Sequence, residues 1–132
     1  MQTRRVFTGA PWEAKVGYCR AIERSGWVLV SGTVAVDSQG RVLTPGNAYR
    51  QALACFGTIE RALTELGVPI DAVVRTRMYV TNMDDWMEIG RAHAEFFAAH
   101  PPVTTMVQVS RLIDPDLVVE IEAEALVENA AG

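Results

Sequence analysis

The chain has 132 residues, 49% of them hydrophobic and 21% charged, with a formal net charge of −4. One soluble domain spanning residues 1–132 is expected, long enough to bury about two-thirds of its unfolded surface without disulfide or metal staples. The acidic balance, with Lys15 as the single lysine among eleven scattered arginines, argues against nucleic acid as the main partner. No apolar run approaches the length of a membrane span, and MQTRRVFTGAPWEAK has no apolar core that would make it a signal peptide. Cys19 and Cys55 lie far apart in unlike contexts. A reduced cytoplasmic protein is therefore expected, with a disulfide left open.

Arg4 to Thr8 reads as a short strand, broken by Gly9-Ala10-Pro11, and Trp12 to Gly17 reads as loop. Tyr18 to Glu23 and Trp27 to Val36 read as strands joined at Ser25-Gly26, a hairpin-type turn. Gly32 inside the second strand signals a bulge or a close backbone approach. Thr44-Pro45 predicts a helix start, with a hydroxyl cap and proline in the first turn. Its inward stripe would be Ala52, Phe56, Ile59, Leu63 and Leu66, and Gly67 with Pro69 would end it.

Val73 to Val80 predicts a strand with Val74, Met78 and Val80 on one face and Arg75, Arg77 and Tyr79 on the other. Asp85 and Glu88 resemble a capping box for a second helix reaching about Ala99, with Trp86, Ile89, His93 and Phe96 on one face. Pro101-Pro102 forces its stop. Two further extended runs follow, joined by the turn Ile113-Asp114-Pro115-Asp116. The last alternates Glu120, Glu122 and Glu124 against Val119, Ile121, Ala123 and Ala125, as a strand with one buried face requires. The order of elements predicts an α+β layer, both helices on one face of a mixed sheet. The arginine and glutamate rows would be good cross-strand neighbours if their strands are adjacent. Symmetric self-association would cover the resulting charged face, and a solvated face is the alternative.

Several motifs in this order resemble one family. Gly17-Tyr18-Cys19-Arg20-Ala21, Val30-Ser31-Gly32, CFGTIERALTELG, VVRTRMYVTNMDD, HAEFF at 93–97 and VEIEAEAL at 119–126 together are similar to the RidA/YjgF family of reactive intermediate deaminases. The resemblance covers roughly Thr8 to Val127. It implies a chorismate-mutase-like fold, a homotrimer closed around a central β-barrel, and small-molecule sites in the clefts between subunits. It also implies hydrolysis of enamines and imines without a cofactor or metal. In the family an arginine clamps the substrate carboxylate in a charge-assisted pair, and a glutamate on the VEIE strand handles water.

The glutamate matches Glu120. The arginine position, counted back without gaps from Val107-Gln108-Val109-Ser110-Arg111-Leu112, falls on Thr104. Hydrogen bonds to charged groups contribute about 1.5–3 kcal/mol, so this exchange weakens carboxylate binding by about a hundredfold or more. Met106 stands where a small or thiol residue is common, and Gly90 where an asparagine often lines the cleft. Tyr18, Ser31 and Gly32 are retained. Arg20 is the candidate replacement cation, two residues from Tyr18; the alternative is a surface arginine paired with Glu13 or Glu23. Arg111, at a strand end beside the turn, is the weaker candidate.

Cys19, Cys55 and His93 read as core or structural side chains, and His93 and His100 are too far apart along a helix to share a metal. Two function classes remain: a deaminase-like hydrolase, with Tyr18 and Thr104 orienting the ligand, or a non-catalytic trimer that binds a metabolite or a protein. Ribonuclease activity, attached to some relatives, is disfavoured by the acidic chain and the absence of a basic aromatic groove.

Overall fold

Alternation of apolar and charged residues makes the last strand the centre of the molecule. The computed structural model describes residues 2–128. Its six strands are β1 (Arg4–Val6), β2 (Ala21–Arg24), β3 (Trp27–Thr33), β4 (Val73–Val80), β5 (Val103–Gln108) and β6 (Val119–Leu126), in the sheet order β1-β2-β3-β6-β4-β5. β4 and β5 run parallel and every other neighbouring pair is antiparallel, which makes the sheet mixed as expected. The helices are α1 (Pro11–Val16), α2 (Ala48–Glu65) and α3 (Trp86–Phe97).

The core lies between one face of the sheet and the helices α2 and α3. Phe56, Ile59, Leu63 and Ile89 from the helices meet Val28, Val80, Val119 and Ile121 from the strands, and all eight are fully buried. Each such side chain contributes about 1.5–3 kcal/mol relative to exposure. The predicted stripe Ala52-Phe56-Ile59-Leu63-Leu66 is buried throughout, and Gly67, at φ 73°, follows the helix.

Local details differ where a tertiary contact overrides the local signal. Pro11–Val16 is a helix rather than loop, with proline in its first turn and Gly17 at φ 89° closing it. Six residues are too few for a period to show. Glu13 holds it: the buried carboxylate accepts from the N–H groups of Thr8 and Gly9 (3.0 and 3.2 Å) and from Thr8 Oγ1 (2.6 Å). α2 starts at Ala48, capped by Asn47, whose Oδ1 accepts from Arg50 N; Thr44-Pro45 lies in the preceding turn, with Thr44 at φ 40°.

β2 begins at Ala21, so Tyr18 to Arg20 stand outside it, and β3 ends at Thr33. Val74 is exposed because the β4–β6 register shifts between Val73 and Arg75; Val73 and Thr76 take the inward positions instead. Trp86 is also exposed, and Asp85 makes no side-chain cap; Asn82 caps the preceding turn by accepting from Asp84 N.

Ser25 and Gly26 have φ values of 55° and 84°, positive at both central positions as a type I′ hairpin turn demands. A Cβ on Gly26 would stand 2.6 Å from the carbonyl oxygen of Val127. Gly26→Ala should therefore lower stability by about 1–3 kcal/mol. Urea unfolding should show a lower midpoint at unchanged slope, and an unchanged midpoint would contradict this account of the turn.

Candidate functional site

The face of the sheet opposite the helices is ionic. Arg75 lies opposite Glu124, Arg77 opposite Glu122 and Tyr79 opposite Glu120, so the predicted cross-strand adjacency holds residue by residue. Arg77 Nη1 meets Glu124 at 3.0 Å and Glu122 at 3.6 Å, Arg75 Nε meets Glu124 at 3.8 Å, and Tyr79 donates to Glu122 at 2.7 Å. Leu29, Val30 and Ala123 line a shallow pocket with these charges. Pairs this exposed add little stability on their own.

Glu120 differs from its two neighbours on β6. Among the described residues no hydrogen bond or ion pair holds its carboxylate. Burial pushes its pKa up from the usual 4.5; Arg20 opposes that shift and Glu122 adds to it. The carboxylate lies directly over Gly32, where an added Cβ would stand 2.2 Å from Oε2. The β3–β6 register shifts between Val30 and Thr33, so Gly32 is both the expected bulge and the expected close approach.

Arg20 anchors that bulge. It is buried, with 8% of its surface exposed, and its Nη1 donates to the carbonyls of Gly32 (2.8 Å) and Ser31 (3.4 Å) and to Thr33 Oγ1 (3.0 Å). Its guanidinium stands 5.7 Å from the Tyr18 ring centre, within cation–π range. It is not a surface arginine paired with Glu13 or Glu23: Glu13 is committed to Thr8 and Gly9, and Glu23 to Arg4. Ser31 Oγ donates to the Cys19 carbonyl, and Ser31 N–H to the Arg20 carbonyl. Tyr18, Arg20, Ser31, Gly32 and Glu120 therefore form one neighbourhood. An open cleft of about 630 Å³ adjoins it, lined by Arg111, Leu112, Ile113, Pro115 and Glu120. The turn after β5 thus carries Arg111 to the same cleft as Glu120.

Thr104 and Met106 stand apart from that neighbourhood on the edge strand β5, and Gly90 stands on α3. Thr104 lies opposite Thr76, and Thr76 opposite Ala123, both buried on the helix side. Glu120 lies opposite Tyr79 on the other side. Residues paired across a sheet share a face, so Thr104 and Glu120 point to opposite faces of the same chain. Met106 packs against the edge of the core, and Gly90 on α3 has open space where a side chain would begin. Thr104 Oγ1 is hydrogen-bonded to Thr76 Oγ1 at 2.7 Å, which in turn meets His93 Nε2 at 2.8 Å. Thr76 is not among the residues that the family motifs point to; its alternation with Met78 and Val80 at inward positions is the one sequence signal for it.

Cys55 is buried, donates to the Thr33 carbonyl, and has its pKa pushed up to about 12 by burial. It stays a thiol. Among the described residues no group of three or more His, Cys, Asp or Glu side chains gathers as a metal site.

Residues 8–127 match the family model described as Endoribonuclease L-PSP. The chain belongs to the RidA/YjgF family. Protein SCO2049 of Streptomyces coelicolor is 38% identical over 92% of this chain and 90% of its own length. The crystal structure of Rv2704 from Mycobacterium tuberculosis, of the YjgF/YER057c/UK114 family, superposes with a TM-score of 0.87 at 39% identity, covering 96% of this chain and all of that one. E. coli TdcF with bound serine shares the fold at 24% identity, with a TM-score of 0.76 over 84% of this chain and 88% of that one. RidA/YjgF membership thus confirms the family and the α+β architecture drawn from the motifs.

Because the fold raises the Glu120 pKa, protonated Glu120 favours the folded state. That contribution is complete below the ordinary value near 4.5 and is lost as pH rises through the higher folded value. Glu120→Gln should then melt at a higher temperature than wild type at neutral pH, with the difference closing in acid. A lower melting temperature at neutral pH would show that ionised Glu120 is stabilising.

Proposed function

We propose that this RidA/YjgF chain acts as a homotrimer whose small-molecule clefts form between subunits, and that it hydrolyses reactive imines or enamines. The observation that carries the proposal is the placement of Glu120 and Thr104 on opposite faces of one sheet. A single ligand reaches both kinds of residue only when the β5 edge of one copy closes over the Glu120 face of the next. Such closure also covers the Arg75–Arg77–Glu122–Glu124 face and the exposed Leu29 and Val107.

In the proposed reaction Glu120 takes a proton from water as the water oxygen bonds to the imine carbon. That proton passes to nitrogen; the proton of the added hydroxyl then follows it as the carbon–oxygen double bond forms and the carbon–nitrogen bond breaks, and a ketone and ammonia leave. A carboxylate whose pKa is raised by burial is better matched to this work near neutral pH than an ordinary one. Tyr18 and Thr104 orient the ligand, the Arg20-anchored bulge at Ser31-Gly32 fixes the floor under Glu120, and Gly90 and Met106 shape the far wall. No cofactor enters the scheme. The free state of both cysteines supports a cytoplasmic setting. Among the described residues no helix is long and apolar enough to cross a membrane.

A non-catalytic trimer that binds a metabolite or a protein is the second reading, favoured by Thr104 at the position of the charged clamp. RNA fits poorly: the net charge is −4, and the two arginines of the sheet pocket are paired with glutamates.

An amino-acid oxidase that generates 2-imino acids in the presence of the purified protein gives the test. Wild type should speed imine loss, less than Thr104→Arg does with these carboxylate-bearing imines, and Glu120→Ala should reduce the wild-type rate at least about a hundredfold. An inert wild type rescued by Thr104→Arg would mean that the natural substrate lacks a carboxylate. Silence from all three proteins would leave the binding reading in its place.

A further inference from the structure

The hydroxyl chain from Thr104 to His93 sets the polarity of the site at the position where the family pattern places a cation. Each threonine hydroxyl has one hydrogen to give and can accept elsewhere. Thr76 is fully buried on β4, between the edge strand and α3, so water does not compete for its hydrogen. That hydrogen goes either to His93 Nε2 at 2.8 Å or to Thr104 Oγ1 at 2.7 Å. A neutral imidazole nitrogen is the stronger acceptor of the two. Burial lowers the His93 pKa below its usual 6.5, so the ring is neutral near pH 7. Phe97 and Phe56 hold it in place, with ring centres at 4.6 and 5.5 Å.

With the ring proton on Nδ1 the hydrogens run inward, from Thr104 to Thr76 and from Thr76 to His93; with it on Nε2 they run outward. In the inward arrangement Thr104, exposed on β5, presents lone pairs outward.

We infer that His93 carries its proton on Nδ1, and that Thr104, with Thr76 and His93 as positioning residues, is a hydrogen-bond acceptor that selects ligands bearing an N–H group at this point and disfavours a carboxylate. The inference rests on the intersubunit cleft proposed above and names the ligand class for it: a nitrogen with hydrogen to give, as in an imine, an enamine or a primary amide. A carboxylate offers only lone pairs and would meet lone pairs. The exchange from arginine to threonine then reverses the preference of the position as well as removing a charge.

The test uses the whole protein and two probes of the same shape, 2-oxobutanamide and 2-oxobutanoate. Nitrogen-15 NMR of the free protein at neutral pH should show His93 with its proton on Nδ1. The amide should bind at least about tenfold tighter than the acid, a difference of about 1.4 kcal/mol. Thr76→Val should abolish that preference, and Thr76→Ser, which keeps the hydroxyl, should retain it. A proton on Nε2 in the free wild type, or equal binding of acid and amide, would overturn the inference while leaving the cleft intact. Binding of neither compound would overturn the cleft reading and the selectivity together.

Discussion

Strand β6 carries two surfaces on one ribbon, and the rest of the molecule is arranged around that fact. Val119, Ile121, Ala123 and Ala125 are buried against α2 and its neighbours, while Glu120, Glu122 and Glu124 are turned to the other side by the pleat. A one-residue slip would exchange the two sets, so the register of β6 between β3 and β4 is fixed by the cost of burying carboxylates. Arg75, Arg77 and Tyr79 meet those carboxylates from β4. The result is a sheet with one dry face and one ionic face, and the candidate site residues are divided between them.

Within that frame Glu120 is the exception that chemistry can use. Glu122 and Glu124 have arginine partners; Glu120 has the Gly32 backbone beneath it and a buried arginine close by. A side chain at position 32 would displace the carboxylate, and the loss of Arg20 would release the three oxygen acceptors that shape the bulge. Arg20 thus links the backbone of β3 to the electrostatics of Glu120. On the other face, Thr104 is tied inward to Thr76 and His93, a polar thread through otherwise apolar packing.

Features governed by local period were legible in the sequence. The α2 stripe and the β6 alternation follow from spacing alone, and the arginine row suits the glutamate row if β4 and β6 are adjacent; the pairs Arg75–Glu124 and Arg77–Glu122 come from the register of the sheet. What escaped depends on contacts between distant segments. α1 is six residues held by one buried glutamate, and Val74 is turned outward by a register shift that no single strand pattern records. Arg20 is ambiguous by sequence because only the Ser31-Gly32 bulge, more than ten residues away, supplies the carbonyls that bury it. The Thr104–Thr76–His93 thread joins three elements, and Arg111 reaches the Glu120 cleft only through the turn after β5. The family motifs brought the fold and Glu120 into view, but not the partition of the site across the sheet.

In the proposed trimer further copies of the chain close the ionic face and bring the two halves of the site together. Light scattering coupled to size exclusion, run over falling protein concentration, tests this most directly. The trimer should show a mass three times the 14.5 kDa of one chain that persists on dilution. A particle with the mass of a single chain would contradict it.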